Sequence, residues 1–391
     1  MLSSTSNSEL QLKLSARHVI PGLRLTAANR PGVAQPVPER DIPNRPWKRM
    51  LPVVALLTLL LTAIWEWQMR RLELTPGDQG YSESAWAEQR RRIDAEPVSV
   101  AIVGDSRILF DTDLERFEQL TGLRPVQLAL PGTNGRPFLE DLAADPQFTG
   151  VAIVGMADTS YFREGGGLMA RVLGRGHWES PADRASFKVH HLLAKHLAML
   201  DADYRFSKLV ARLDSDLRPK VEGPYHDVWK VGQSFEDRQA WLWPRLEHDA
   251  FLRKHAVVGW DTFAGKPVTD TVIEMTQRLT AAAVNTIRAR GGEVVFVRPP
   301  SNGDCRLNEE KRLTKAKGWD ALLSAVKAVG VHADDLPVAR GLDIPECSHV
   351  THRCAAVFTD AYVRKLSELT PRLRLRNDAP AVLSAADCAA R

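Results

Sequence analysis

The chain has 391 residues, 44% of them apolar and 26% charged. These proportions exclude a multi-pass membrane protein and a wholly disordered chain, and the length suits one large domain or two small ones. The net charge of +4 is unevenly placed: residues 1–49 hold eight Lys/Arg against three Asp/Glu, so the other 342 residues sum to −1. A nucleic-acid-binding domain should carry its own basic face, so nucleic acid is not an expected partner.

Residues 1–49 contain six prolines and few apolar clusters, and read as a disordered basic arm. Met50 to Trp65 (MLPVVALLTLLLTAIW) carries no charge, with Trp47 before it and Trp65 and Trp67 at its end. This predicts a transmembrane helix over residues 50–67 with aromatic belts at both interfaces. Cleavage as a signal peptide is not expected, because 49 residues precede the run and TAIWEWQMRR follows it. Arg30, Arg40, Arg45, Lys48 and Arg49 flank the near side, against only Arg70 and Arg71 on the far side. Positive charge is retained inside. The expected topology is therefore a single-pass protein of a bacterial inner membrane, with its N-terminus cytoplasmic and its main domain periplasmic.

Residues 68–97 read as a stalk and a polar helix (82–95). Strands follow at 98–104 (VSVAIVG), 125–130 (PVQLAL) and 149–155 (TGVAIVG), short apolar runs of the kind found in buried parallel strands. A helix lies between the first two, with Thr112 and Glu115 as a capping box and Gly122 as its stop. A second helix covers 138–145. Residues 163–265 break this alternation and read as a helical insertion without a clear strand. They hold Trp178, Trp229, Trp241, Trp243 and Trp260, more readily read as core or interface residues than as sugar-stacking surfaces. Alternation resumes with a helix from 270 to Gly291, a strand at 293–300, a helix near 308–328, a short strand near Val331 and a helix over 351–369. The tail, 371–391, reads as loose. The predicted fold class is α/β: a doubly wound, flavodoxin-like parallel sheet of about five strands over residues 98–370, with ligands bound beyond the strands' carboxyl ends.

At the carboxyl end of the first strand stands Gly104-Asp105-Ser106-Arg107. A serine at a strand-to-helix turn is either a helix cap or a nucleophile, and a nucleophile needs a base. Asp343-Ile-Pro-Glu346-Cys-Ser-His349 supplies one, since a carboxylate shortly before a histidine can fix its tautomer. Both segments fall on the same sheet edge. Arg107 and Arg298, the latter at the end of the fourth strand, can grip a uronate, phosphate or carboxylate on a substrate, or can pair with an acid of the domain.

These residues resemble those of the SGNH hydrolase superfamily, the GDSL-type esterases. Gly104-Asp105-Ser106 is similar to the first family block, whose serine is the nucleophile. Gly132, in Leu-Pro-Gly-Thr-Asn, is similar to the second-block glycine, whose amide joins the oxyanion hole. Glu346-Cys-Ser-His349 resembles the last block, with Glu where the family usually has Asp. The third block, Gly-x-Asn-Asp, departs: Gly155-Met-Ala157-Asp158 has alanine at the oxyanion-donating position, and Asn134 is a substitute donor. The layout also resembles single-pass proteins with a periplasmic SGNH domain. The resemblance implies a serine esterase or O-acyltransferase acting on acyl esters of a cell-envelope glycan. Ser106 would be the nucleophile, His349 the base and Glu346 (or Asp343) the orienting acid. An envelope polysaccharide or acyl-donor protein would be the partner, with neither cofactor nor metal. The alternative is a catalytically degenerate SGNH fold that binds glycan or scaffolds an envelope assembly.

Cys347, His349, His352 and Cys354 lie close enough to suggest zinc, but four ligands in eight residues rarely wrap one tetrahedron. Outside the cytoplasm a disulfide is favoured. Cys305 is expected to pair with Cys347 or Cys354, preferably Cys347, leaving Cys388 free in the tail.

Overall fold

In the computed structural model, residues 45–95, 99–163, 167–213, 230–260 and 265–388 are described. The arm at residues 1–44, Trp229 and the last three residues lie outside them. Two units divide the chain after Thr62. Helix α1 (Trp47–Arg71) begins in the first, where the apolar side chains between Leu51 and Leu61 are exposed. It is long and apolar enough to cross a membrane, and runs beyond both ends of the expected span.

The second unit is organised by a five-stranded, wholly parallel sheet of order β2-β1-β3-β6-β7. The strands are β1 (Val100–Val103), β2 (Val126–Gln127), β3 (Val151–Gly155), β6 (Glu293–Arg298) and β7 (Gly330–His332). Their side chains alternate between two cores. Ala101, Val103, Ala152, Val154, Val294 and Phe296 face one cluster, with α2 (Glu83–Ala95), α5 (Arg136–Ala144) and α8 (Asp270–Ala289). Val100, Ile102, Val151, Ile153, Val295 and Val297 face the other, with α3 (Ser106–Phe110), α4 (Leu114–Thr121) and α11 (His352–Leu369). Helices on both faces explain why the strands read as continuous apolar runs rather than alternating ones.

Local chemistry sets the element ends. Asp113, rather than the expected Thr112–Glu115 capping box, caps α4: its carboxylate accepts the Arg116 amide at 2.7 Å, and Gly122 closes the helix at φ 74°. The helix starts one residue later than that box requires, so Asp113 is the N-cap and accepts the amide three residues on, Arg116, leaving Thr112 outside the cap. The long helix predicted near 308–328 is split into α9 (Gly303–Arg312), a π-helical turn (Ala316–Asp320) and α10 (Ala321–Val326).

The insertion and the tail also depart from expectation. The insertion contains an antiparallel hairpin, β4 (Gly232–Ser234) and β5 (Ala240–Leu242). Three-residue strands with buried Gln233 and Ser234 carry no apolar alternation, and Arg238 turns the chain at φ 59° without a glycine. The Arg238 guanidinium donates to the carbonyls of Gln127 and Ala129, covering the outer edge of β2, which would otherwise present unpaired backbone. Of the insertion's tryptophans, Trp243 is buried and Trp178 exposed, while Trp241 stacks on His352 at 4.1 Å.

The tail is not loose over its described part. Leu373 is fully buried, the Arg376 amide donates to Leu120 O at 2.8 Å, and the guanidiniums of Arg116 and Arg364 donate to Ala381 O and Pro380 O. Cys388, expected to be free, forms a disulfide with Cys354 on α11. Arginine-to-carbonyl bonds and a covalent link hold an irregular strap, which needs no periodic pattern. Cys388→Ala is expected to lower stability by about 2–4 kcal/mol and to expose residues 374–388 to proteolysis, readable by thermal unfolding and limited digestion of the full chain.

Candidate active site

The site lies at the carboxyl edge of the sheet. After β1 the chain passes through Gly104 and Asp105 into α3, which starts at Ser106. This turn is compressed: a Cβ on Gly104 would sit 2.5 Å from Ile108 Cγ2 and 2.9 Å from Gly155 O, and one on Gly155 would sit 2.2 Å from Ile108. Only glycines let the ends of β1 and β3 approach this closely while Ile108 fills the core beneath. Asp105 caps α3 by accepting the Arg107 amide at 3.0 Å, and its other oxygen accepts the Ser160 hydroxyl.

His349 arrives from the loop between β7 and α11. Its Nε2 is 2.8 Å from Ser106 Oγ, across 243 residues of sequence. Its Nδ1 is 2.8 Å from Glu346 Oε1, and the same oxygen accepts the His349 amide at 2.6 Å. His349 and Glu346 are fully buried and Ser106 half-buried. The Phe110 ring packs edge-to-face on the imidazole at 4.9 Å. A carboxylate on Nδ1 selects the tautomer whose Nε2 lone pair faces the hydroxyl, which is the arrangement a proton-accepting imidazole requires. Asp343, the other acid considered, instead pairs with Arg253 at 3.0 Å in an exposed position.

The histidine loop is held from several sides. The expected disulfide between Cys305 and Cys347 is present, and the Asn302 amide donates to Cys347 O at 3.1 Å. Cys347 takes a left-handed backbone (φ 66°) between the glutamate and the histidine. The Val350 amide donates to Asp111 Oδ1 at 3.0 Å. Burial pushes the Asp111 carboxyl well above the usual range, against the pull of that amide and of Arg107. The first turn of α11 is satisfied by Glu247, which accepts the His352 amide at 2.6 Å.

Arg107 and Arg298 take the ion-pair arrangement. Both guanidiniums engage Glu309 of α9, Arg107 at Oε1 and Arg298 at Oε2, the latter at 2.5 Å. Arg107 Nε also donates to Ser348 Oγ at 3.2 Å. Arg298 is fully buried. Burial alone would raise the Glu309 carboxyl, but Arg107 and Arg298 outweigh it and hold it down at about 2.

The two candidate oxyanion residues stand apart from one another in character. Gly132 is exposed at φ 72°, with no atom within 4 Å of where a Cβ would be, and its carbonyl accepts Arg163 Nη2 at 2.7 Å. Asn134 is buried and its side chain serves the backbone at both ends: Oδ1 accepts the Arg136 amide at 3.1 Å and Nδ2 donates to Arg163 O at 2.9 Å. Ala157 is buried just beyond β3. Sequence reasoning did not single out Asp111, Phe110, Ser160, Ser348, Glu247 or Glu309. None carries a local signal: Glu309, for example, stands beside Glu310 and after Asp304 on an ordinary polar helix.

Glu309 makes a testable contribution to stability. Its folded-state value of about 2 lies below its ordinary one of about 4.3. The stabilisation is therefore complete above that ordinary value and is lost as pH falls toward 2. Glu309→Gln is expected to cost about 3–5 kcal/mol near pH 7, and its gap from the parent should close on acidification, as followed by thermal melts. No protein-family model matches this chain and no curated protein matches it, so the reading of the site rests on its own geometry.

Proposed function

We propose that the protein is a membrane-anchored serine esterase or O-acyltransferase of the SGNH type, acting on acyl esters of a cell-envelope glycan. The observation that carries this reading is the hydrogen-bonded chain from Ser106 through His349 to Glu346. Ser106 Oγ attacks the acyl carbonyl while its proton moves to His349 Nε2, and Glu346 stabilises the resulting imidazolium. Collapse of the tetrahedral intermediate expels the alcohol, which takes the proton back from His349. An acyl-serine remains. Water then completes hydrolysis, or a glycan hydroxyl completes transfer, with His349 again the base.

The oxyanion falls to the backbone amides of Ser106 and Gly132. Asn134 is a weak substitute donor, because its amide already binds Arg163 O. With Ala157 in place of an asparagine, one donor fewer costs about 10²–10³ in kcat. That same alanine favours the second reading, a degenerate SGNH fold that binds glycan or scaffolds an envelope assembly. Arg107 and Arg298 act through Glu309 rather than on the substrate in this scheme.

Several features support the wider setting. Within the main sheet alone the strand order is 2-1-3-4-5, the flavodoxin-like doubly wound order, in which ligands sit at the carboxyl edge. The flanking charges favour an arm in the cytoplasm and a domain in the periplasm. Two disulfides suit an oxidising compartment. A tether keeps the domain beside membrane-borne substrates.

The test uses the full chain in detergent with a nitrophenyl acetate. Ser106→Ala should remove hydrolysis and fluorophosphonate labelling together; a parent protein that neither hydrolyses the ester nor labels at Ser106 would instead establish the degenerate reading. Glu346→Gln should lower kcat by about 10³–10⁴-fold, whereas Asp343→Asn should stay within about twofold of the parent. The reverse pattern would reassign the orienting acid.

A further inference from the structure

The insertion packs on the end of α1 that leaves the apolar run. Met69 and Leu74 are buried with Ala198, Leu242, Trp243, Leu246 and Ala256, and Trp65 and Leu72 pack against the same cluster. The contact is also polar. Both carboxylate oxygens of Glu66 accept backbone amides, from Ala198 at 3.0 Å and Met199 at 2.8 Å, and the Arg70 guanidinium donates to His196 O at 3.1 Å. Lys230, buried between Asp78 and Asp201, ties the chain after α1 to the same part of the insertion. Residues 196–199 are therefore fixed at the level of Trp65, Trp67 and Arg70. Arg71 lies over the Trp67 ring at 4.8 Å. These are the residue types that occupy a bilayer's headgroup zone.

Three helices flank that fixed segment, and each exposes large apolar side chains. Helix Pro181–Ala194 carries Val189, Leu192 and Leu193, which are 60%, 63% and 51% exposed. Their spacing places them on one face. Helix Phe206–Leu213 exposes Phe206 and Val210 at 70% and 45%, and helix Ala250–Trp260 exposes Phe251 at 50%. Lys188, Arg205 and Lys208 are exposed among them. The nearby acids are engaged elsewhere: Asp183 pairs with Arg175, Asp201 is buried on Lys230, and Asp203 is 3.8 Å from Lys230. Exposed apolar side chains with basic neighbours in sequence, on helices around the segment that packs on the foot of α1, have the chemistry of a surface that lies in an anionic bilayer interface.

We propose that the insertion seats this face on the surface of the membrane that α1 enters, through apolar side chains inserted among anionic lipids. The proposal rests on α1 spanning that membrane. It gives the insertion a function separate from the serine chemistry: it fixes how the domain is held over the bilayer.

The test is lipid photo-crosslinking of the full chain. The protein is reconstituted in vesicles of phosphatidylcholine and phosphatidylglycerol, about three to one, doped with a diazirine-bearing phospholipid, and adducts are mapped by peptide mass spectrometry. The expected result is adducts within residues 50–67, and also within 187–193, 206–210 or at Phe251. Adducts confined to 50–67 would overturn the proposal while leaving the span intact, and adducts in neither region would overturn both. The triple variant Leu192→Glu, Leu193→Glu, Phe206→Glu changes exposed positions only and should keep the fold, as checked by its melting temperature. It should lose insertion adducts by about tenfold while those in 50–67 persist. Insertion adducts unchanged in this variant would also reject the assignment of this face.

Discussion

Much of the site's geometry depends on one buried carboxylate held between two guanidiniums. Glu309 accepts from Arg107 and Arg298, and those three residues come from the serine turn, the end of β6 and α9. Arg107 extends the link to Ser348, next to the histidine. A charge taken out of water is costly unless it is paired, so each member constrains where the others can stand. The serine turn is thereby held against β6 and α9, which lie far along the chain from it. The ordinary alternative for these arginines, a grip on an anionic substrate, would require breaking a buried pair.

Around that network the chain uses covalent and backbone ties where regular structure is absent. The loop carrying Glu346 and His349 has no strand or helix of its own. It is anchored by the Cys305–Cys347 disulfide, by Asp111 beneath Val350 and by Glu247 at the start of α11. The tail is anchored in the same manner, through Cys354–Cys388 and arginines that donate to its carbonyls. Ordering such segments is entropically expensive. Cross-links offset part of that cost by restricting the unfolded chain. Preorganisation of this kind is what the proposed acyl chemistry needs, since a displaced imidazole no longer reaches the hydroxyl.

The insertion follows a different logic. Its hairpin closes the edge of the sheet through Arg238, and its helices close around the foot of α1. The first task is internal to the fold. The second leaves apolar side chains exposed on the helices at 181–194, 206–213 and 250–260.

The sequence by itself determined the long apolar helix, the α/β alternation, the strands of the main sheet and the positions of the serine and histidine turns. Those signals are local: an uncharged run, β-branched strands, glycine stops and a Gly-Asp-Ser turn can each be read from neighbouring residues. It also marginally favoured Cys305–Cys347, because an exported domain oxidises its thiols and Cys347 and Cys354 stand too far apart to bridge each other. Only the tertiary structure decided between Glu346 and Asp343, engaged Asn134 and the two arginines internally, paired Cys354 with Cys388, and built a hairpin from strands three residues long. Those outcomes depend on which groups meet across long stretches of chain. A buried polar group takes whatever partner packing brings to it, and nothing in its own neighbourhood in sequence records which partner that will be.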